Sequence, residues 1–338
     1  MSYDQIITGE GGTERRVYAR QKGECGMTGT SMIVQARGLT KQYGKTTALN
    51  KVDLDIPRGS IYGLVGNNGA GKTTFLKILL GQVFPTSGSF WLWEAQDEIS
   101  WRGNRRRCGA IIEAPGFYPN MTAAQNLEYY RIQRGIPGKE KVAETLAQVG
   151  LSNVAHKKFK QMSLGMKQRL GLGLALLGEP ELLLLDEPIN GLDPAGIIEI
   201  RNLLLRLNRE KNITILISSH NLPELENMAT DYGFLNRGKL IRQIDAPSLH
   251  EQCGTYLEIR VTEPERYAAL LERELHLTDY KVMPDGAIRV MQQTQDAAPY
   301  GRLAVEQGMD LLELERREIQ LEDFYMRLIG EQEGGEIL

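Results

Sequence analysis

At 338 residues the chain is long enough for two domains, and 41% hydrophobic with 25% charged residues is the composition of an ordinary globular protein. A formal net charge of −3 leaves no overall basic footprint, which argues against a dedicated nucleic-acid binder. Cys25, Cys108 and Cys253 lie far apart without metal-ligand spacing, no apolar run approaches a membrane span, and the first residues lack the apolar core of a secretion signal. A reduced, cytoplasmic setting is the expectation.

Residues 1–31 are polar, Gly-rich and without periodicity, so they are expected to form a disordered extension, with Met32 opening the folded unit. Strands are predicted over residues 33–37 and 48–56, the second alternating apolar and polar residues until Pro57-Arg58-Gly59 turns the chain. Residues 60–65 have strand character, and residues 75–80 open a helix. Between them lies Gly66-Asn67-Asn68-Gly69-Ala70-Gly71-Lys72-Thr73-Thr74. After a turn at Pro85-Thr86-Ser87-Gly88, a strand is predicted over residues 89–93. From about 97 to 177 the pattern is helical. Thr122 and Gln125 make a capping box before a helix through Gln133, and an amphipathic helix covers residues 139–149. Short apolar runs at 182–185 and 213–219, separated by a helix near 195–208, read as buried parallel strands. Strands alternating with helices after a phosphate loop indicate an α/β nucleotide-binding core. From about Ala246 the order becomes strand 256–261, helix 264–274, strand 280–283, strand 287–291, helix 297–308, strand 311–315. That βαββαβ order is consistent with a small ferredoxin-like unit. A last helix at 321–329 precedes an acidic tail.

The chemistry centres on the Gly-rich segment, which fits a phosphate-binding loop: Gly66, four residues, then Gly71, Lys72 and Thr73. Glycines at 66, 69 and 71 let consecutive backbone N–H groups point inward at phosphate oxygens, and the following helix turns its positive end to the same anion. Lys72 can reach the β- and γ-phosphates, and the Thr73 hydroxyl can hold Mg²⁺. A plain Gly-rich turn before a helix is the rival reading, and the strand–loop–helix context disfavours it. Residues 182–185 end in Asp186 and Glu187. Asp186 at a strand tip can orient Mg²⁺ through its water shell, and Glu187 can then polarise a water against the γ-phosphate. Acids at a strand end are as often turn formers; the phosphate loop upstream decides between the two.

With these motifs the chain resembles an ATP-binding subunit of an ABC transporter, over roughly residues 33 to 246 and in the family's motif order. The resemblance implies the following roles. Tyr43 sits where the family stacks an aromatic on adenine. Met162-Ser163-Leu164-Gly165-Met166 occupies the place of the Leu-Ser-Gly-Gly-Gln signature. Asn190-Gly191-Leu192-Asp193 resembles the dimer-contact loop, and His220 the switch histidine. Two such domains pair head to tail, with Ser163 and the N–H of Gly165 reaching the γ-phosphate held by the partner's loop, including Asn67, Asn68, Gly69, Ala70 and Thr74. Asp193 joins the contact, Glu187 acts as base or water-orienting group, and His220 senses the γ-phosphate.

Two departures from the family pattern stand out. Glu113 replaces the usual glutamine in the loop joining core to helical region, a carboxylate able to bind Mg²⁺ beside phosphate. The signature carries Leu164 for a glycine and Met166 for glutamine. Both, with Phe117-Tyr118-Pro119-Asn120 following, resemble the bacitracin- and lantibiotic-exporter branch, whose ATPase subunits carry a similar C-terminal extension. The expected fold is α/β: an ABC-type P-loop NTPase domain over 32–246 with a helical subdomain at about 97–177. A C-terminal α+β, ferredoxin-like domain over 247–330 and a tail at 331–338 follow. The expected function is ATP hydrolysis with Mg²⁺, powering export of a peptide antibiotic or similar hydrophobic compound. Expected partners are integral membrane permease subunits and a second, identical or homologous ATPase subunit, at the inner face of the cell membrane, with no nucleic acid and no membrane span of its own. The rival functions are a soluble ABC-type switch and a nucleotide-sensing module with little turnover.

Overall fold

A computed structural model describes residues 31–93, 103–113, 116–291, 296–318 and 321–333. The expected extension at 1–31, apart from Ser31, and the end of the tail lie outside the described residues.

In chain order, β1 (Met32–Tyr43), β2 (Thr46–Pro57) and β3 (Ile61–Val65) precede α1 (Lys72–Leu79), and β4 (Ser87–Leu92) and β5 (Cys108–Ile111) follow it. A helical stretch comprises α2 (Ala123–Gln133), α3 (Glu140–Gln148) and α4 (Leu164–Leu176). Then come β6 (Leu182–Asp186), α5 (Pro194–Lys211), β7 (Thr214–Ser219), α6 (Leu222–Glu226), β8 (Asp231–Asn236), β9 (Lys239–Asp245) and α7 (Ala246–Cys253). The remainder is β10 (Thr255–Val261), α8 (Pro264–Leu275), β11 (Tyr280–Val282), β12 (Ile288–Val290), α9 (Ala298–Glu306), β13 (Leu311–Glu318) and α10 (Leu321–Glu333).

The central sheet runs β5-β6-β7-β3-β8-β9, parallel except for the last pair. Its inner strands are apolar on both faces because both faces are covered. Leu183, Leu185, Ile215 and Ile217 share a core with the helices α2 to α5. Leu182, Leu184 and Leu216 share the opposite core with α1 and the antiparallel sheet β2-β1-β4. A helix-to-sheet layer thus lies on each side, and every inner strand opens at the same, carboxyl-terminal edge.

Most predicted elements are present within a residue or two, including the Thr122–Gln125 capping box. Strand β5 falls inside the stretch read as helical. It is four residues long and contains Gly109, where a Cβ would come within 2.2 Å of the Ala175 carbonyl on α4. Close backbone approach of helix to strand demands glycine there and erases the apolar pattern that marks a strand. The β8–β9 hairpin likewise went without a sequence prediction.

At the C-terminal end, four antiparallel strands lie in the order β11-β12-β10-β13. Leu257, Ile259 and Val261 on one face of β10 pack with Tyr267, Leu271 and Leu303 of α8 and α9. The alternate residues Tyr256 and Glu258 are also buried. Tyr256 joins the core of the central sheet together with Leu321, Phe324 and Tyr325 of α10. Both α10 aromatics meet Phe234 of β8, with ring centroids 5.7 and 5.8 Å away.

Candidate nucleotide site

Four neighbouring parallel strands deliver the predicted site residues at their carboxyl ends. The loop of residues 66–71 follows β3, Asp186 and Glu187 end β6, His220 follows β7, and Glu113 lies two residues beyond β5. Residues from Gly66 to His220, far apart in sequence, are therefore brought together by strand order alone.

The loop's geometry comes from close backbone packing. Gly71, at φ 111°, precedes α1, and a Cβ on it would lie 2.4 Å from the Ala48 carbonyl. Only glycine supplies both that conformation and that clearance. Lys72 is buried, and its ammonium donates to the Gly66 carbonyl at 2.5 Å and to the Asn67 carbonyl at 3.3 Å. It also stands 3.2 Å from Glu187 Oε1. Thr73 donates its hydroxyl to Asp186 Oδ2 at 2.7 Å. Ser218 of β7 donates to Asp186 Oδ1 at 2.5 Å, because strand register sets Asp186 opposite Ser218. The Glu187 N–H donates to the Ser218 hydroxyl at 3.1 Å. Glu187 itself holds φ 48°, a left-handed conformation that costs a non-glycine residue free energy and turns its side chain from the sheet edge toward the loop. Its other oxygen, Oε2, lies 2.7 Å from His220 Nδ1.

This donor set fits a hard divalent cation beside a polyphosphate. A hydroxyl and a carboxylate stand together at Thr73 and Asp186, and Glu187 Oε1 is buried nearby, in an ion pair with Lys72 but without a hydrogen bond. Among the described residues no group of three or more His, Cys, Asp or Glu would hold a metal by itself. Phosphate oxygens and water would have to complete the coordination, as is usual for Mg²⁺.

The other predicted residues lie around this centre. Tyr43 is exposed at the end of β1, with the Lys41 ammonium 4.9 Å above its ring. Ser163 caps α4, its hydroxyl accepting from the Met166 N–H at 3.3 Å. Asp193 caps α5 by accepting from the Gly196 N–H at 3.1 Å. The two helix starts adjoin: a Cβ on Gly191 would sit 3.5 Å from the Leu164 side chain. Glu113 is exposed at φ 63° and pairs at 2.8 Å with Lys77, one turn along α1 from Thr73. The Lys77 ammonium holds the Glu113 carboxyl below the usual carboxylate range, and the carboxylate in turn raises Lys77. Lys77 and Ser218 escaped the sequence reading. The available signal for Ser218 was a polar pair, Ser218-Ser219, ending an otherwise apolar strand.

Beyond Glu113, an aromatic cluster covers the helical side. Phe117 packs edge-on to Tyr130 at 5.9 Å and against Phe159 at 5.1 Å, and Tyr118 meets Tyr129 at 4.8 Å. Fully buried Asn126 fixes the segment: its amide donates to the carbonyls of Tyr118, Met121 and Thr122 and accepts the Tyr118 N–H. An open groove of about 550 Å³, lined by Met121, Ala124, Glu128, Tyr129, Ile132 and Val142, lies alongside. No helix among the described residues is long and apolar enough to cross a membrane.

Comparison with known proteins agrees with this geometry. The family described as ABC transporter matches residues 49–190. The bacitracin transport ATP-binding protein BcrA of Enterococcus faecalis is 42% identical over 298 residues, covering 88% of this chain and 96% of BcrA. The lantibiotic transport ATP-binding protein SrtF of Streptococcus pyogenes is 44% identical over 210 residues, covering 62% of this chain and 89% of SrtF. Among solved structures, a dimeric, post-hydrolysis state of the ATP-binding cassette MJ0796 with ADP and Pi superimposes at a TM-score of 0.57 and 26% identity, over 63% of this chain and 98% of that one. Strand order, loop geometry and near full-length similarity lead to one assignment: the chain belongs to the ATP-binding subunits of ABC transporters, ATPases whose hydrolysis of ATP serves transport.

Proposed function

We propose that this subunit powers export of a peptide antibiotic of the bacitracin or lantibiotic kind, working at the cytoplasmic face of the membrane with separate membrane-spanning subunits. The near full-length similarity to BcrA carries this reading. Cysteine-poor composition and the absence of a spanning helix among the described residues accord with it.

In the proposed cycle the N–H groups of the 66–74 loop other than those of Gly66, Asn67 and Ala70, which donate within the protein, act with the Lys72 ammonium to neutralise the β- and γ-phosphates, while Tyr43 stacks on adenine. Thr73 and Asp186 would hold Mg²⁺, and Glu113 is a further candidate ligand once Lys77 releases it; the ion's chemistry is to offset phosphate charge. Glu187 orients the attacking water and takes up its proton, and His220, 2.7 Å from Glu187, holds that carboxylate and reads the γ-phosphate. Ser163 and Gly165 at the start of α4 serve the partner subunit's nucleotide, and Asp193 stands in the same contact. That the MJ0796 cassette is dimeric supports pairing of two such subunits. Leu164, at the usual glycine of the signature, is half exposed, which suits an apolar contact across that interface.

We assign the segment 113–120 and the adjoining groove to the membrane subunits. Tyr118, Tyr129 and Ile132 expose apolar surface there, as a docking face requires. Residues 32–246 are the ATPase domain. Residues 247–330 are a ferredoxin-like accessory unit, for which the strand order β11-β12-β10-β13 with two helices on one face is the support.

A direct test is to purify the tagged chain from its native membrane and identify what comes with it. A multi-span membrane protein is the expected companion. Cells carrying both should resist a peptide antibiotic, with resistance lost for Lys72→Ala. Full resistance in Lys72→Ala cells, or isolation of the chain without a membrane protein, would overturn the exporter reading.

A further inference from the structure

Tyr325, on the last helix, reaches the phosphate loop from 258 residues away: its hydroxyl accepts a hydrogen bond from the Asn67 N–H at 3.3 Å. The same hydroxyl donates to the Leu235 carbonyl at 3.3 Å, which uses the phenol's single proton. Asn67 N–H and Gly66 C=O belong to one planar peptide, whose two ends point opposite ways. The carbonyl end receives the Lys72 ammonium at 2.5 Å. One rigid unit is thus held at its N–H by Tyr325 and at its oxygen by the loop lysine. Leu235 closes the arrangement, since a Cβ on Gly66 would come within 2.4 Å of the Leu235 carbonyl oxygen.

The phenol is itself held in place. Its ring stacks on Phe234 at 5.8 Å and 24°, and the residue is buried. Burial raises the hydroxyl's pKa above its ordinary value, so it stays protonated and able to donate near neutral pH. The helix is tied in turn to the C-terminal sheet: Asp323 lies 4.0 Å from Arg289 of β12, whose guanidinium covers the Tyr256 ring at 4.9 Å.

We propose that Tyr325 is a positioning residue for the phosphate loop: by fixing the peptide between Gly66 and Asn67, its hydroxyl sets where the Lys72 ammonium stands and hence how tightly nucleotide phosphates are held. The C-terminal unit thereby acts on nucleotide affinity through a backbone contact. This inference rests on ATP binding at the loop and is independent of what is transported.

The experiment compares the full chain with Tyr325→Phe, which keeps the ring and deletes only the hydroxyl. ATP affinity by calorimetry and KM for ATP should weaken about 3–10-fold, the size of one neutral hydrogen bond. The kcat at saturating ATP should stay within about twofold, because the reacting groups are untouched. Phe324→Leu serves as a packing control that lowers the melting temperature while leaving KM in place. Amide exchange of Asn67 in the wild-type protein gives a readout that needs no variant, and slow exchange is expected. Unchanged affinity in Tyr325→Phe, an equal KM change in Phe324→Leu, or exchange of the Asn67 amide as fast as an open loop would each overturn the proposal.

Discussion

Two carboxylates held inside this molecule are treated in opposite ways. Glu258, on β10, is 1% exposed, and three arginines surround it: Arg317 at 2.9 Å, Arg289 at 3.2 Å and Arg260 at 3.5 Å. Asp186, at the tip of β6, is gripped more closely, at 2.7 and 2.5 Å, by the neutral hydroxyls of Thr73 and Ser218. Guanidinium groups cancel the charge they hold, and removing one partner of such a set is costly. Hydroxyls orient a carboxylate while leaving its charge largely uncancelled, so the site keeps an attraction for a cation that the fold does not satisfy. The same residue chemistry builds a clamp in one sheet and, in the proposed function, a Mg²⁺ ligand in the other.

That contrast is open to direct attack. The largest expected effect is in Asp186→Asn, which should lower ATP turnover by about 10²-fold or more. Its melting temperature without nucleotide should be no lower than that of wild type, since both hydroxyls can hydrogen-bond an amide. Glu258→Gln should do the reverse. It should cost about 1–3 kcal/mol in denaturant unfolding and leave kcat within about twofold. If Asp186→Asn proved the unstable variant, or Glu258→Gln the inactive one, the distinction between clamp and ligand would fail.

The smallest effect is expected at the exposed pair Glu113 and Lys77. Glu113 has a folded-state pKa below its ordinary 4.5, so it contributes stability above that value and loses it as pH falls through the depressed pKa. Lys77 has a pKa raised above 10.5, so its share is present below that value and is lost as pH rises through the raised one. The stability difference between wild type and Glu113→Gln should therefore be small, level across neutral pH, vanish at both extremes and shrink with added salt. A difference that persists below the titration of Glu113 would mean that the side chain acts through something other than its charge.

What the sequence disclosed follows from how each part is encoded. Residues 66–74 and the pair Asp186-Glu187 are written on single stretches of chain, where spacing alone dictates strand, loop and helix. The apolar runs of β6 and β7 announce a doubly covered sheet for the same reason. Ser218 takes its meaning from strand register, which places it opposite Asp186. Lys77 takes its meaning from the side chain that crosses to it, and Tyr325 from a helix that folds back across nearly the whole chain. Strand β5 was hidden because Gly109, required by the Ala175 carbonyl, removes an apolar letter from an already short run. Local grammar was readable, and tertiary pairing was not.

Asn126 carries a consequence for assembly. A buried amide that binds Tyr118 through both its N–H and its C=O, and Met121 and Thr122 besides, leaves the backbone from Tyr118 to Thr122 little freedom to lose on contact with another protein. Whatever lands beside Tyr118 meets a surface already set in shape, and the entropic toll of ordering a loop is absent from the encounter. Coupling between the ATPase sheet and its neighbour would then be stiff: a displacement of the helices is transmitted at once, with no slack to take up.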